Sequence, residues 1–365
     1  MLRLYTLLAR LIPTRPPPGD PRRIVLILPC CIGDVVMATA TLKALRRAYP
    51  QAHITWAVGT WSKAAIEHHP LLDAIMDTGN EALPVRSVGG LLRFARLLRT
   101  GKYDLAVSLV RSPLMSAALL LSGIPHRAGV DSAGRGFGYT VRAAVDPNAP
   151  RHEAQVYLDV VWALGKDAVE CYANVPVTDA DAEAVREKLK TRGVTGDYVV
   201  VNPAGGHNPG MDMDAKRYPP EQLAELANRL AARLGARVVL VGGPNDAELV
   251  NTVQARLIAP AAAFVGELSF GEIAALAAGA RLYVGNDTGL THLAAAAGAK
   301  TAMILGPTDP RRYAPFAPDA LALWKPATVV AGGVAAGTPE HWDWTRDGIS
   351  VDEAEAQIRA WLDNR

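Results

Sequence analysis

The sequence predicts an α/β protein of two successive domains, each a doubly wound sheet with helices on its faces. Three observations predict it. Short apolar runs alternate with amphipathic stretches of helical length along most of the chain, which is the pattern of repeated strand–helix units. The pattern breaks near residues 167–178 and then restarts. The length of 365 residues also exceeds what one core commonly organises and suffices for two.

Composition narrows the class. Half of the residues are apolar and a fifth are charged, the balance of a globular chain with ample core. A net charge of +2 is too small for general binding to nucleic acid. The three cysteines, two of them adjacent at Cys30 and Cys31, form neither a disulfide framework nor a metal-ligand spacing. They read as small buried hydrophobes in a reducing compartment. No apolar run of about 18 residues is present that could span a bilayer.

Residues 1–12 predict a helix with many leucines and a narrow polar face of Arg3, Thr6 and Arg10. Pro13 ends it, and Pro16, Pro17 and Pro18 form a stiff spacer. Two readings stay open. The helix lies on an anionic membrane surface, with Arg15, Arg22 and Arg23 near headgroups, or it packs on protein.

Residues 23–28 form the first strand, and Gly33-Asp34 leads into a helix to about residue 49. Open α/β sheets place ligands at such strand ends. Asp34 alone could equally complement the helix dipole. No G-x-G-x-x-G follows the strand, which argues against a nicotinamide oxidoreductase. Strands are expected at 53–58, 74–77 and 103–109, and helices at 61–69, 88–100, 114–122 and 152–164. His68 and His69 read as surface residues. Arg111, Arg127, Arg135 and Arg142 make this half locally basic near expected loops. Recognition of an anionic acceptor and plain solvation both account for them.

The second half opens with an acidic-capped helix at 179–192 and a strand at 198–202. A mobile loop, 203–210, precedes Lys216-Arg217-Tyr218-Pro219-Pro220 and a helix to 234. The strand 237–241 ends in Gly242-Gly243, with Asp246 and Glu248 in the turn that follows. A carboxylate there can accept hydrogen bonds from two hydroxyls or merely complement a helix start. Another helix is expected at 271–278. The stretch 325–346 carries no assignable pattern, and a last helix begins at Ser350.

The most informative stretch is 281–310. The apolar run 282–284 suits a buried strand, and Gly285 lets the chain turn. Asn286, Asp287 and Thr288 are capping residue types, and 290–297 is a good helix former. A second apolar strand, 301–305, ends at Gly306-Pro307. Free N–H groups and partial positive charge at the helix start suit a phosphate. Gly289 leaves room for close approach, Thr288 supplies a hydroxyl, and His292 lies one turn on. A well-capped βαβ unit without a ligand fits the same pattern.

The whole string Asp287-Thr288-Gly289-Leu290-Thr291-His292-Leu293-Ala294, with Gly306-Pro307-Thr308-Asp309-Pro310 behind it, resembles glycosyltransferase family 9, the lipopolysaccharide heptosyltransferases. Gly33-Asp34, Leu45-Arg46-Arg47-Ala48-Tyr49-Pro50 and Lys216-Arg217-Tyr218-Pro219 fit the same family, with Tyr218 where Trp is commoner. The resemblance covers roughly residues 24–315. It implies the GT-B arrangement, two Rossmann-like domains facing across a cleft. The expected parts are an N-terminal segment, 1–22, an acceptor domain, 23–172, and a nucleotide-sugar domain, 173–349. The C-terminal helix, 350–365, is expected to join the first domain.

The resemblance further implies Asp34 as catalytic base, with Lys216, Asp246, Asp287, Thr288, Gly289 and His292 binding the donor. It implies inverting transfer from a nucleotide-diphospho-sugar such as ADP-heptose to a glycolipid or glycan acceptor, lipopolysaccharide core by family default, with neither cofactor nor metal. No acidic D-x-D cluster lies near the expected diphosphate site, so Lys216 and the helix N-terminus take the neutralising role. The expected location is the cytoplasm, with peripheral contact at the inner membrane under the first reading of residues 1–12, and nucleic acid is not an expected partner. A sugar-nucleotide epimerase of the same architecture and a non-catalytic nucleotide-sugar-binding protein remain as rivals.

Overall fold

The computed structural model describes residues 2–147, 149–208, 211–326 and 342–364. Two compact units divide the chain, 1–172 and 173–365. Residues 164–178, between a helix of the first unit and one of the second, carry neither helix nor strand.

In the first unit, helix α1 (Leu2–Leu11) precedes β1 (Arg23–Ile27), α2 (Ile32–Ala48), β2 (His53–Val58), α3 (Thr60–Lys63) and β3 (Ala74–Asp77). Then come α4 (Val88–Thr100), β4 (Leu105–Ser108), α5 (Pro113–Ser122), β5 (His126–Ser132), β6 (Val141–Val145) and α6 (Glu153–Ala163). Within the described residues the six strands are all parallel, in the order β3-β2-β1-β4-β5-β6. The chain winds outward from β1 to β3, then crosses to β4 and winds the other way. The order therefore reverses beside β1 and β4, where such sheets open a crevice at their strand ends. Helix α4 packs on α5, and α2 packs on α6.

The second unit repeats this plan. It contains α7 (Asp179–Thr191), β7 (Tyr198–Asn202), β8 (His207–Asn208), β9 (Met211–Asp212), α8 (Pro220–Leu234), β10 (Arg237–Gly242), α9 (Ala247–Gln254) and β11 (Ala262–Val265). It continues with α10 (Phe270–Ala278), β12 (Leu282–Asn286), α11 (Gly289–Ala296), β13 (Thr301–Ile304), α12 (Pro310–Tyr313), β14 (Ala320–Leu323), α13 (Trp344–Asp347) and α14 (Val351–Asp363). Its main sheet, again parallel, runs β11-β10-β7-β12-β13-β14, and the order reverses beside β7 and β12. Side chains alternate across it as the period of two demands. Val199 and Val201 face one core with Leu223, Leu226 and Leu230 of α8. Tyr198 and Val200 face the other with Val185 and Leu189 of α7.

Several expectations give way here. The helix expected at 61–69 is only the short α3 followed by turns, and His69 is buried, its Nδ1 accepting from the Leu71 N–H at 3.2 Å. Loop 203–210 contributes β8, which pairs antiparallel with β9; Pro209 and Gly210 lie outside the described residues. Helix α14 does not join the first unit: Ile349, Val351, Ala354 and Ile358 are in the second unit's core with α8. Its apolar positions recur at helical spacing, and α8 presents the complementary face. Cys30 and Cys31 are bonded to each other as a vicinal disulfide, while Cys171 is a buried thiol. Most of the unassigned stretch 325–346 lies outside the described residues.

Among the described residues no helix is long and apolar enough to cross a membrane. Helix α1 is docked against the first unit. The Tyr5 ring stacks on Phe137 with centroids 6.2 Å apart, and the Arg142 guanidinium donates to the Ala9 and Ile12 carbonyls at 2.8 and 2.9 Å. Leu7 and Leu11 of the same helix are exposed.

Candidate active site

Each unit gathers polar groups where its strand order reverses. In the first, β1 delivers the chain to Cys31, which precedes the first turn of α2. Asp34 in that turn is half-buried. Its Oδ2 faces the Cys31 N–H at 3.5 Å, near the outer limit of a hydrogen bond. Its Oδ1 accepts from the Tyr157 hydroxyl on α6 at 2.8 Å. One turn before Tyr157, Glu153 is buried in a two-pronged pair with Arg111, at 3.1 and 2.6 Å. A carboxylate with one oxygen held by a hydroxyl has a fixed orientation.

The locally basic character of this half has a structural explanation. Arg111 pairs with Glu153. Arg127, on β5, is buried and donates to the Gly138 and Ile124 carbonyls at 2.7 and 2.6 Å. Burial, then the positive charge of Arg15, lowers its pKa. Arg142, on β6, ties down α1. Three of the four arginines thus hold the chain together.

In the second unit, the loop after β7 and the loop after β12 flank the reversal. Asn286 closes β12 and is fully buried. Its amide donates to the Pro203 and Ala204 carbonyls at 2.8 and 3.1 Å, and its oxygen accepts from the Tyr218 N–H at 3.0 Å. One side chain therefore fastens both ends of the β7–α8 connection to the end of β12. Gly205 lies against Thr288: a Cβ there would meet Thr288 Cγ2 at 3.0 Å. Gly206 has φ +76°, and a Cβ there would meet the Met213 carbonyl at 2.3 Å, so only glycine suits that turn. Thr288 is the N-cap of α11, its hydroxyl accepting from the Leu290 N–H at 3.0 Å. Gly289 is the first residue of that helix.

Lys216 reaches this helix start. Its Nζ lies 2.6 Å from Asp287 Oδ2, and both side chains are largely buried. Burial alone pushes the Asp287 carboxyl up. The Lys216 ammonium, followed by His292 and the Thr308 hydroxyl, outweighs burial and holds it below the usual carboxylate range. The segment bearing Lys216 is itself gripped. Tyr218 is buried, its hydroxyl donates to the Ile349 carbonyl at 3.1 Å, and Trp344 packs edge-on against its ring at 5.2 Å. Trp344 also lies against Gly306, where a Cβ would meet its ring at 2.7 Å.

Lys216, Asp287, Thr288, Gly289 and His292 thus come together around one helix start. Asp246 is in the turn after β10, the strand beside β7. Its carboxylate accepts from the Gly243 N–H at 2.7 Å, so it caps its own turn. Glu248 is exposed, and Glu267 pairs with Arg192 at 2.6 Å. Asn286 was read from the sequence only as a capping residue type, whereas it clamps the β7–α8 connection; Trp344 and Tyr157 were not singled out, because their partners lie far away in the chain.

Two parallel six-stranded sheets of the same order, each with polar groups at its reversal point, define a pair of doubly wound, Rossmann-like α/β units. A family model described as "Glycosyltransferase family 9 (heptosyltransferase)" matches residues 91–331. The chain belongs to glycosyltransferase family 9, and it is an enzyme of the glycosyltransferase class. Lipopolysaccharide heptosyltransferase 2 of Salmonella typhimurium is 28% identical over 307 residues, covering 79% of this chain and 84% of that one. A solved family 9 glycosyltransferase of Veillonella parvula, 23% identical, superposes with TM-score 0.79 over 96% of this chain and 100% of its own. A solved ADP-heptose lipopolysaccharide heptosyltransferase II of Escherichia coli, 22% identical, gives 0.72 over 94% and 99%. The fold is that of the GT-B heptosyltransferases.

Proposed function

We propose that this glycosyltransferase moves a sugar from a nucleotide-diphospho-sugar to a lipopolysaccharide-core or similar cell-surface glycan acceptor. The sugar is a heptose and the donor ADP-heptose, as the names of its relatives suggest. The reading rests on one observation above all, the Lys216–Asp287 pair at the N-terminus of α11. An ammonium has three donors. Asp287 occupies one and aims the group, which leaves the others for a diphosphate. The helix N–H groups and dipole add to the attraction. As the glycosidic bond to the diphosphate breaks, negative charge grows on the leaving group, and a fixed cation stabilises that charge without a metal ion.

Asp34 is the base. It takes the proton of the acceptor hydroxyl as that oxygen attacks the anomeric carbon from the face opposite the diphosphate, which inverts the configuration. The Tyr157 hydroxyl holds one of its oxygens and leaves the carboxylate aimed. Asp246 would accept the ribose hydroxyls, a contact for which its carboxylate must share or leave the Gly243 N–H. The enzyme acts in the cytoplasm, where the acceptor's lipid places it at the inner membrane surface.

Two variants in one assay test the assignment. Asp34→Asn keeps the shape and removes the base. Transfer falls by about a hundredfold to ten-thousandfold, while donor affinity stays within a few-fold. Lys216→Ala weakens donor binding by about 1.5–3 kcal/mol and slows transfer further. Full activity of Asp34→Asn would refute its role as base, and unchanged donor binding in Lys216→Ala would move the phosphate site elsewhere.

A further inference from the structure

We propose that α4, α5 and α1 together form a face of the first unit that rests on an anionic phospholipid surface. None of these helices contains Asp or Glu, in a chain with 36 acidic residues among 365. By contrast α7, α8 and α14 in the second unit carry acidic residues.

The exposed side of α4 alternates apolar and basic groups. Val88, Leu92 and Leu97 are open to solvent, Val88 by 75%. Arg93 and Arg96 are exposed between them and form no hydrogen bond or ion pair with any described residue. Arg99 serves differently: it donates to the Leu121 and Ser122 carbonyls and closes the end of α5. Helix α5 packs on α4 and exposes Leu114.

Next to α5 lies the β5–β6 connection, whose Gly138 N–H donates to Ser116 of α5 at 2.9 Å. Phe137 of that connection carries α1 through Tyr5, and α1 exposes Leu7, Leu11 and the basic Arg10. Helices α4 and α5 thus pack directly, and the β5–β6 connection joins α5 to α1.

An apolar face with unopposed arginines matches a bilayer whose headgroups are anionic. Leucine side chains enter the headgroup boundary and the guanidinium groups meet phosphates. Val88 and Leu114 lie at helix starts, the ends that a βαβ crossover sets at the strand C-terminal edge, where Asp34 also lies. The base would thus stand close to the lipid surface.

The inference deepens the reading of a lipid-borne acceptor by naming the surface that meets the lipid. Its test uses neither donor nor acceptor, so either reading can fail alone. The full chain is floated with phosphatidylcholine vesicles and with vesicles containing about one-third phosphatidylglycerol, at low and high salt. Two exposed double variants are compared, Arg93→Glu/Arg96→Glu and Leu92→Ser/Leu97→Ser, with thermal melting as the check that both fold. The wild type is expected to float with the anionic vesicles only and to be released by salt. The arginine variant should partition about tenfold less or weaker still, and the leucine variant should also lose binding. Wild-type binding by both variants, or equal binding to neutral vesicles, would overturn the proposal. So would a solution dimer that the leucine variant dissociates, because the face would then belong to a second copy.

Discussion

Asp34 receives its hydrogen bond from Tyr157, a residue 123 positions away in the chain. Gly33-Asp34 could be read as a site from its position after the first strand. Tyr157 could not, because nothing in a helix of this pattern shows which of its residues turns toward α2. Tyr157→Phe removes that donor and lets the carboxylate turn, so kcat should fall while donor affinity is unchanged. A purely structural tyrosine would lower melting temperature and leave kcat of the folded enzyme in place. The arginines illustrate the opposite case. Arg111, Arg127 and Arg142 were visible as a basic cluster, but their carbonyl and carboxylate partners come from other elements and convert them into ties.

The strand, turn and helix from β12 to α11 were legible because burial, turn chemistry and capping agree there residue by residue. The clamp around them was not. Asn286 reaches both ends of the β7–α8 connection, and that depends on β7 and β12 being neighbours. Asn286→Ala would strand two carbonyls and one N–H in a buried place. A loss of about 2–5 kcal/mol is expected, read in a denaturant titration of the full chain, together with weaker nucleotide binding as the Lys216 segment loosens. A change below about 1 kcal/mol would show that the connection is held by other contacts. The hairpin of β8 and β9 escaped the sequence reading because two residues per strand are too few to establish a period.

Across the whole molecule, the α/β class and the restart of the pattern were readable because most of the central strands are short apolar runs between breakers. The destination of α14 was not, since an amphipathic helix announces a buried face and not its partner. Charge and burial also set the molecule's pH range. The carboxyls of Asp287, Asp73 and Asp309 are pushed up by burial, but stronger partners (Lys216; Ile54 N–H and Arg46; Arg311) leave all three below their ordinary range. Depressed acids give stability that is present above the unfolded value of about 4 and lost as pH falls through the folded one. Burial raises Tyr139, Tyr218 and Tyr283, and brings Tyr198 to about 12. Raised phenols give stability that is present below the unfolded value of about 10 and lost above it. Calorimetric melting temperature should therefore be level from about pH 5 to 9 and fall on both sides. A curve still level at about pH 11 would contradict the burial of these phenols.

The hydrogen bond from the Tyr218 hydroxyl to the Ile349 carbonyl, with Ile349 and Ile358 in the core of the second unit, has a consequence for how the protein is made. Translation delivers β7 and the Lys216 segment long before the residues that pack behind them. Until residues 349–358 emerge from the ribosome, α8 has no partner for one face and Tyr218 has no acceptor. The first unit can close while synthesis continues, but the Lys216 segment is fully packed only once Ile349, 131 positions after Tyr218, has appeared.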